Sequence, residues 1–220
     1  MSGFGSFSMA SPRHENQDAW IALDGEAASG ILLAVCDGVS STDLGGHAAE
    51  LLAENLGAVY KRPGKLGLED LWNCIIETDW ELAGMGRGKA ACTMTLVWIT
   101  GAEALILTVG DSPVLMCREG DCQQLTHAKG RGGLSGFVGM GKGLEEKIDQ
   151  CRMPLEPGDV LFVTTDGVSG SLSPREFASC WEEVPDPQPC AQRLVRTARE
   201  AGSDDDITAI VLLYQPGGVQ

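Results

Sequence analysis

The chain has 220 residues, 43% of them hydrophobic, which suits one domain with a buried core and argues against a disordered chain. A formal net charge of −15 repels phosphate backbones and anionic lipid, so neither nucleic acid nor a membrane surface is expected as a partner. No apolar run approaches the roughly 20 residues that cross a bilayer. Residues 1–10 lack the basic start and apolar stretch of a secretory signal, so a cytoplasmic location is expected.

In chain order, β-branched and aliphatic runs predict strands over residues 20–23 and 31–35. Helical patterns follow over 46–60 and 68–81. Strands are then predicted over 93–99, 104–109, 114–117 and 160–164, with turns at Gly101-Ala102-Glu103 and Glu119-Gly120-Asp121 marking hairpins. Helices over 174–182 and 189–201 flank a proline-containing loop at 184–189; Pro189 suits a first helical turn and Gly202 a stop. A strand over 207–214 closes the domain, leaving 216–220 as a frayed tail. Consecutive hairpin-linked strands, with two helices before the main group and two after, point to an α+β layered domain spanning residues 1–215.

The eight cysteines form no CxxC pair, and only three histidines accompany them. Apolar surroundings such as Leu33-Ala34-Val35-Cys36 predict buried, reduced thiols, not a zinc site or a disulfide framework.

The chemistry-bearing residues are acidic and sit where strands end. Asp37-Gly38 follows the strand at 31–35, Asp111 the one at 104–109, and Asp166-Gly167 the one at 160–164, while Asp204-Asp205-Asp206 precedes the last. A single Asp-Gly is usually only a turn. Two such pairs behind wholly apolar strands, with a triple-Asp strand entry, point to carboxylates converging on one edge. Two unit charges ~4 Å apart repel by roughly 4 kcal/mol at an effective dielectric near 20, so such a cluster needs cations or shared protons. All-oxygen ligands select hard ions such as Mg²⁺, Mn²⁺ or Ca²⁺. A pair of these ions lowers the pKa of a shared water and favours in-line attack on a phosphoryl group.

Five segments, in order, resemble the type 2C metal-dependent protein phosphatases (the PPM family). Arg13-His14-Glu15-Asn16-Gln17-Asp18 is similar to the family's opening R-x-x-N-x-D motif, and Val35-Cys36-Asp37-Gly38 to its first metal-binding strand end. The strand at 93–99 with Val109-Gly110-Asp111-Ser112 resembles its central hairpin. Thr164-Thr165-Asp166-Gly167-Val168 resembles its S-D-G segment. Asp205-Asp206-Ile207-Thr208 resembles its D-N-x-T closure, with Asp206 in place of the usual Asn. The resemblance implies a four-layer αββα sandwich, with two mainly antiparallel sheets packed face to face and flanked by helices. It implies two Mn²⁺ or Mg²⁺ ions: Asp37 bridging both, Asp166 and Asp205 on the first, the Gly38 carbonyl on the second, and Asp18 acting nearby through water. Arg13 is then the phosphate-binding residue, because a planar guanidinium matches a phosphate better than an ammonium does. Asp111 is expected to order the loops at the metal edge without binding an ion.

Three departures from the family pattern stand out. Many members carry a His after the first Asp-Gly, where this chain has Val39, and His47 further on reads as a helix cap or surface residue. The stretch Gly86-Arg87-Gly88-Lys89-Ala90 holds no carboxylate for a third ion. Residues 125–149 are short and glycine-rich where the family places a longer flap, which predicts a more open cleft. The expected function is hydrolysis of phosphoserine or phosphothreonine in a protein partner, a Ser/Thr kinase or that kinase's target, by a monomer. A non-catalytic phosphoprotein-binding module and a phosphatase of small phosphoesters are the competing readings.

Overall fold

A computed structural model describes residues 2–25, 29–86, 88–126 and 134–216. Among the described residues ten strands form two five-stranded sheets, and every pairing is antiparallel. The strands are β1 (Gly3–Met9), β2 (Asp18–Asp24), β3 (Ile31–Asp37), β4 (Met94–Thr100), β5 (Glu103–Val109), β6 (Val114–Arg118), β7 (Asp121–Gln124), β8 (Asp149–Pro154), β9 (Val160–Thr164) and β10 (Ile207–Leu213). One sheet runs β1-β10-β9-β6-β7 and the other β2-β3-β4-β5-β8. The helices are α1 (Gly45–Tyr60), α2 (Leu68–Gly84), the single turn α3 (Asp166–Ser169), α4 (Pro174–Glu183) and α5 (Pro187–Glu200).

Three apolar clusters define the layers. Leu33 and Val35 of β3 and Ile106 of β5 meet Leu161, Val163 and Ile210 of the other sheet, forming the core between the sheets. Alternate residues of β3, Leu32, Ala34 and Cys36, face Leu52 and Leu56 of α1 and Ile75 of α2. On the far side Phe162 and Val211 pack against Phe177, Leu194 and Val195 of α4 and α5. The result is the expected αββα sandwich. Covering both faces of each sheet explains why the central strands read as unbroken apolar runs instead of alternating.

The predicted strands and the four longer helices all form, with ends shifted by a few residues. The three strands that sequence patterning missed, β1, β7 and β8, all lie at sheet edges. An edge strand packs fewer neighbours and carries polar side chains, as in Asp121-Cys122-Gln123-Gln124, so the hydrophobic signal is weak. The edge of β1 is covered by a side chain: Ser6 N donates to Gln188 Oε1 at 3.1 Å and Gln188 Nε2 donates back to Ser6 O at 2.9 Å. Gly5 permits this approach, since a Cβ there would lie 2.2 Å from Gln188 Cα. Helix α5 begins two residues before the predicted Pro189, because Asp186 caps it by accepting from Gln188 N at 3.2 Å and Pro187 fills its first position.

The cysteine reading needs one correction. Cys117 and Cys122 face each other across the β6–β7 hairpin and are joined as a disulfide. With β7 unrecognised, their cross-strand register was invisible. Cys36, Cys74, Cys92, Cys180 and Cys190 are buried free thiols as expected, and Cys151 is exposed. No helix among the described residues is long and apolar enough to cross a membrane. The predicted tail at 216–220 falls mostly outside the described residues, as do Arg87 and residues 127–133 of the glycine-rich stretch.

Candidate active site

The acidic strand ends do converge. Asp18 opens β2 and Asp37 closes β3, and the two are paired in register. Asp166 opens α3 immediately after β9, Asp205 and Asp206 lead into β10, and Asp111 follows β5. Asp37, Gly38, Asp111, Asp166, Asp205 and Asp206 line one cavity of about 110 Å³, together with Gln17, Val39, Ser40, Thr93 and Leu134. A larger groove of about 640 Å³ lies between β2 and α1, but its walls are mostly apolar, with Glu50, Glu54 and Lys61 among them. It offers no comparable convergence of chemistry.

Electrostatics mark the smaller cavity. Desolvation, then the neighbouring charges of Asp18 and Asp166, pushes the Asp37 carboxyl up to about 10. Desolvation also raises Asp18, to about 7, against the opposing pull of its hydroxyl hydrogen bonds. Asp166 is raised by burial and by the charges of Asp111 and Asp205, with the neighbouring Asp37 carboxyl pulling the other way. Burial likewise raises Asp111, with Asp205 adding to it. Asp18 Oδ2 accepts from Thr208 Oγ1 at 2.6 Å and Thr165 Oγ1 at 3.0 Å, which ties one sheet to the other. Asp18 Oδ1 and Asp166 Oδ1 are buried and have no hydrogen-bond partner. Orphaned carboxylate oxygens beside a carboxyl that must keep its proton are the signature of a site short of positive charge. The donor set fits divalent cations: hard oxygens, several negative charges, and Asp205 exposed at the rim.

The glycines of the two Asp-Gly pairs are required by close approach and not by turn conformation. A Cβ on Gly38 would meet the Gly45 carbonyl carbon at 2.4 Å, where α1 begins, and one on Gly167 would meet Asp206 O at 1.9 Å. Gly110 differs: its φ of +109° favours glycine, and a Cβ would strike Thr93 Cβ at 2.6 Å. Ser112 Oγ shares a hydrogen bond with Thr93 Oγ1 at 3.0 Å, and Thr95 Oγ1 donates to Ser112 O at 2.5 Å. The segment around Asp111 is thus bound into the sheet while its carboxyl faces the cavity wall.

Arg13 lies beside this cavity and not in its lining. Its guanidinium pairs with Asp204, and both side chains are exposed. The loop that carries it is strapped down by Asp206, which is 4% exposed: Oδ1 accepts from Ser11 N at 2.6 Å and Oδ2 from Gln17 N at 2.8 Å. The sequence places Asp206 in the triple-Asp entry and in place of a usual Asn, but does not show this clamp. It also gives no role to Thr165 and Thr208, which hold Asp18, or to His14, whose Nδ1 is 3.7 Å from Asp206 Oδ2. Val39 lines the cavity directly after Asp37-Gly38, and among the described residues no histidine joins the lining.

The sequence matches the Protein phosphatase 2C family over residues 10–204. It is 24% identical over 153 residues to the mitochondrial protein phosphatase 1K of Xenopus laevis, covering 54% of this chain and 41% of that protein. The chain therefore spans less than half the length of that relative. Among solved structures, the serine/threonine phosphatase of S. agalactiae superposes with a TM-score of 0.85 at 20% identity, covering 98% of this chain and all of that one. The catalytic domain of the phosphatase PstP in complex with two manganese ions superposes with a TM-score of 0.76 at 20% identity, covering 96% and 97%. At these identities the structural likeness establishes the fold. The family match over most of the chain, together with the ordered acidic segments, shows that this chain belongs to the protein phosphatase 2C family of serine/threonine protein phosphatases.

Proposed function

We infer that the chain hydrolyses phosphoserine and phosphothreonine in a protein substrate, with two Mn²⁺ or Mg²⁺ ions at the acidic cavity. The observation that carries this reading is the cluster of Asp18, Asp37 and Asp166, with raised carboxyl pKa values and two buried oxygens lacking partners. Asp37 would be shared between the ions, with Asp166, Asp205 and the Gly38 carbonyl as the other groups that would hold them and Asp18 close by. Bound divalent cations supply Lewis acidity that makes a water nucleophilic near neutral pH.

The chain's own groups do the remaining work. Asp37 would hold cations as the carboxylate, so its raised pKa would link loading to deprotonation. Thr165 and Thr208 fix the direction of the Asp18 carboxylate. Arg13 exchanges Asp204 for the phosphate dianion and orients it by a forked pair of hydrogen bonds. Val39 cannot donate a proton, so leaving alkoxides of high pKa are protonated by solvent. Asp111 supports the rim. The unit acts as a single domain over residues 1–215 and as a monomer in the cytoplasm, and its partner is a phosphorylated Ser/Thr kinase or that kinase's target.

The test is release of phosphate from phosphoserine and phosphothreonine peptides with Mn²⁺, compared with chelator. Turnover that needs the ion supports the reading. Phosphopeptide binding without turnover at any metal concentration overturns it in favour of a binding module. Turnover of small phosphoesters alone overturns the protein-substrate assignment.

A further inference from the structure

Helix α2 buries a carboxylate that the chemistry above does not use. Asp79 is 1% exposed, and its Oδ1 accepts from Gly139 N at 2.7 Å and Gly141 N at 3.1 Å. The Met140 amide adds to this set, and these backbone donors counter the burial that raises the carboxyl pKa. The loop is shaped to receive the carboxylate. Gly139 and Gly141 have φ of +104° and +73°, and a Cβ on Gly139 would lie 2.2 Å from Ala90 O. Successive amides turned inward in this way form an anion-binding nest, here filled by a side chain of the same protein.

The nest leads directly to the metal edge. Val138, one residue before it, exchanges both backbone hydrogen bonds with Cys92, at 2.9 and 3.1 Å. On either side of Cys92, Val39 N donates to Ala91 O at 2.9 Å and Thr93 N donates to Asp37 O at 2.8 Å. Residues 91–93 therefore clamp Asp37-Gly38-Val39, and residue 138 clamps residue 92. The same loop also supplies Leu134 to the cavity wall.

We propose that Asp79 is a positioning residue of the active centre: by holding the 138–141 loop on α2 it fixes Cys92, and through it the backbone of Asp37 and Gly38. The inference rests on the two-ion reading above. Within the glycine-rich stretch 125–149, residues 138–141 are thus anchored to α2. Asp79 Oδ2 has no hydrogen-bond partner, so Asp79→Asn retains the oxygen that matters and changes only the idle one, whereas Asp79→Ala removes the pin.

The test compares the full chain with these two variants. In the metal-free state, amide hydrogen exchange at Cys92, Val138, Gly139 and Gly141 should be faster in Asp79→Ala and near wild type in Asp79→Asn. Calorimetry should show Mn²⁺ binding weakened about tenfold in Asp79→Ala, the scale typical of lost support behind metal ligands, with Asp79→Asn within about threefold of wild type. If Asp79→Ala does not fold, Asp79→Ser, whose oxygen stays closer to α2, takes its place in the same comparison. A folded variant with a released loop and unchanged Mn²⁺ affinity overturns the proposal, as does unchanged exchange at Val138 and Cys92. Failure of the wild-type chain to bind Mn²⁺ is a different result: it removes the two-ion reading itself.

Discussion

Asp18 and Asp37 stand directly opposite each other at the end of the β2–β3 ladder. Desolvation, with the charges of Asp18 and Asp166 adding to it, raises Asp37 to about 10, and desolvation, with Asp206 and Asp166 adding to it, raises Asp18 to about 7. An unfolded Asp ionises near pH ~3.9. Between that pH and the folded values the unfolded chain releases protons that the fold retains, so rising pH favours unfolding. The stability contributed by these groups is complete below pH ~4 and is lost as pH climbs through the folded values. In chelator, the melting temperature should therefore fall from pH 5 to pH 8, and fall less steeply in Asp37→Asn. Thermal scans across pH decide this; identical slopes for the two proteins would contradict the assignment. Mn²⁺ should reverse the loss, adding about 2.7 kcal/mol at 100 times its dissociation constant.

The three ligand carboxylates should respond differently to excess metal. Asp37 is the proposed bridge, so Asp37→Asn removes charge from both ions at once. Asp166→Asn and Asp205→Asn each weaken one ion, and added Mn²⁺ should recover part of their turnover. The loss in Asp37→Asn should appear in kcat at saturating substrate and resist rescue. Metal titrations of the three variants test this. Full recovery of Asp37→Asn, with Asp166→Asn still inactive, would reassign the bridge.

Asp206 makes a prediction of another kind. Both its oxygens accept backbone amides, from Ser11 and Gln17. An Asn side chain has one acceptor, so Asp206→Asn leaves one buried amide facing a donor. The expected cost is about 1–3 kcal/mol of stability. Loosening the 11–17 segment also frees the loop that carries Arg13, so KM for an aryl phosphate should rise more than kcat falls. Denaturant melts and steady-state kinetics on one preparation separate the two effects. An unchanged melt would mean that the Asp206 clamp contributes nothing.

Much of this architecture is legible in the sequence because the central strands are covered on both faces. Leu32 and Leu33 point to different layers yet are equally apolar, so β3 announces itself as a run. The edge strands β1, β7 and β8 lack that constraint and were missed, and the Cys117–Cys122 disulfide was missed with them. At the site, Asp37 and Asp166 were found by their position after apolar strands. The reason for the glycines beside them was not legible: Gly38 and Gly167 answer to the backbones of Gly45 and Asp206, distant in sequence. The anchoring of residues 138–141 by Asp79 was hidden for the same reason, since 60 residues separate Asp79 from Gly139.

Arg13 gives the last prediction. Its guanidinium pairs with Asp204, and both side chains are well exposed. An exposed ion pair contributes little to stability, so Arg13→Ala should melt like wild type. Its cost should fall on substrate: KM for an aryl phosphate should rise about tenfold or more, the scale of a lost charge-assisted pair of about 1.5–3 kcal/mol. Mn²⁺ affinity should be unchanged, because the guanidinium carries no ligand atom for a cation. Arg13→Lys keeps the charge without the fork and should fall between the two. Asp204 competes with substrate for the same guanidinium, so Asp204→Ala should lower KM while leaving kcat within about twofold of wild type. The two substitutions therefore move KM in opposite directions from one ion pair. Equal KM values for wild type, Arg13→Ala and Asp204→Ala would reduce the pair to a surface contact and leave the phosphate to other groups.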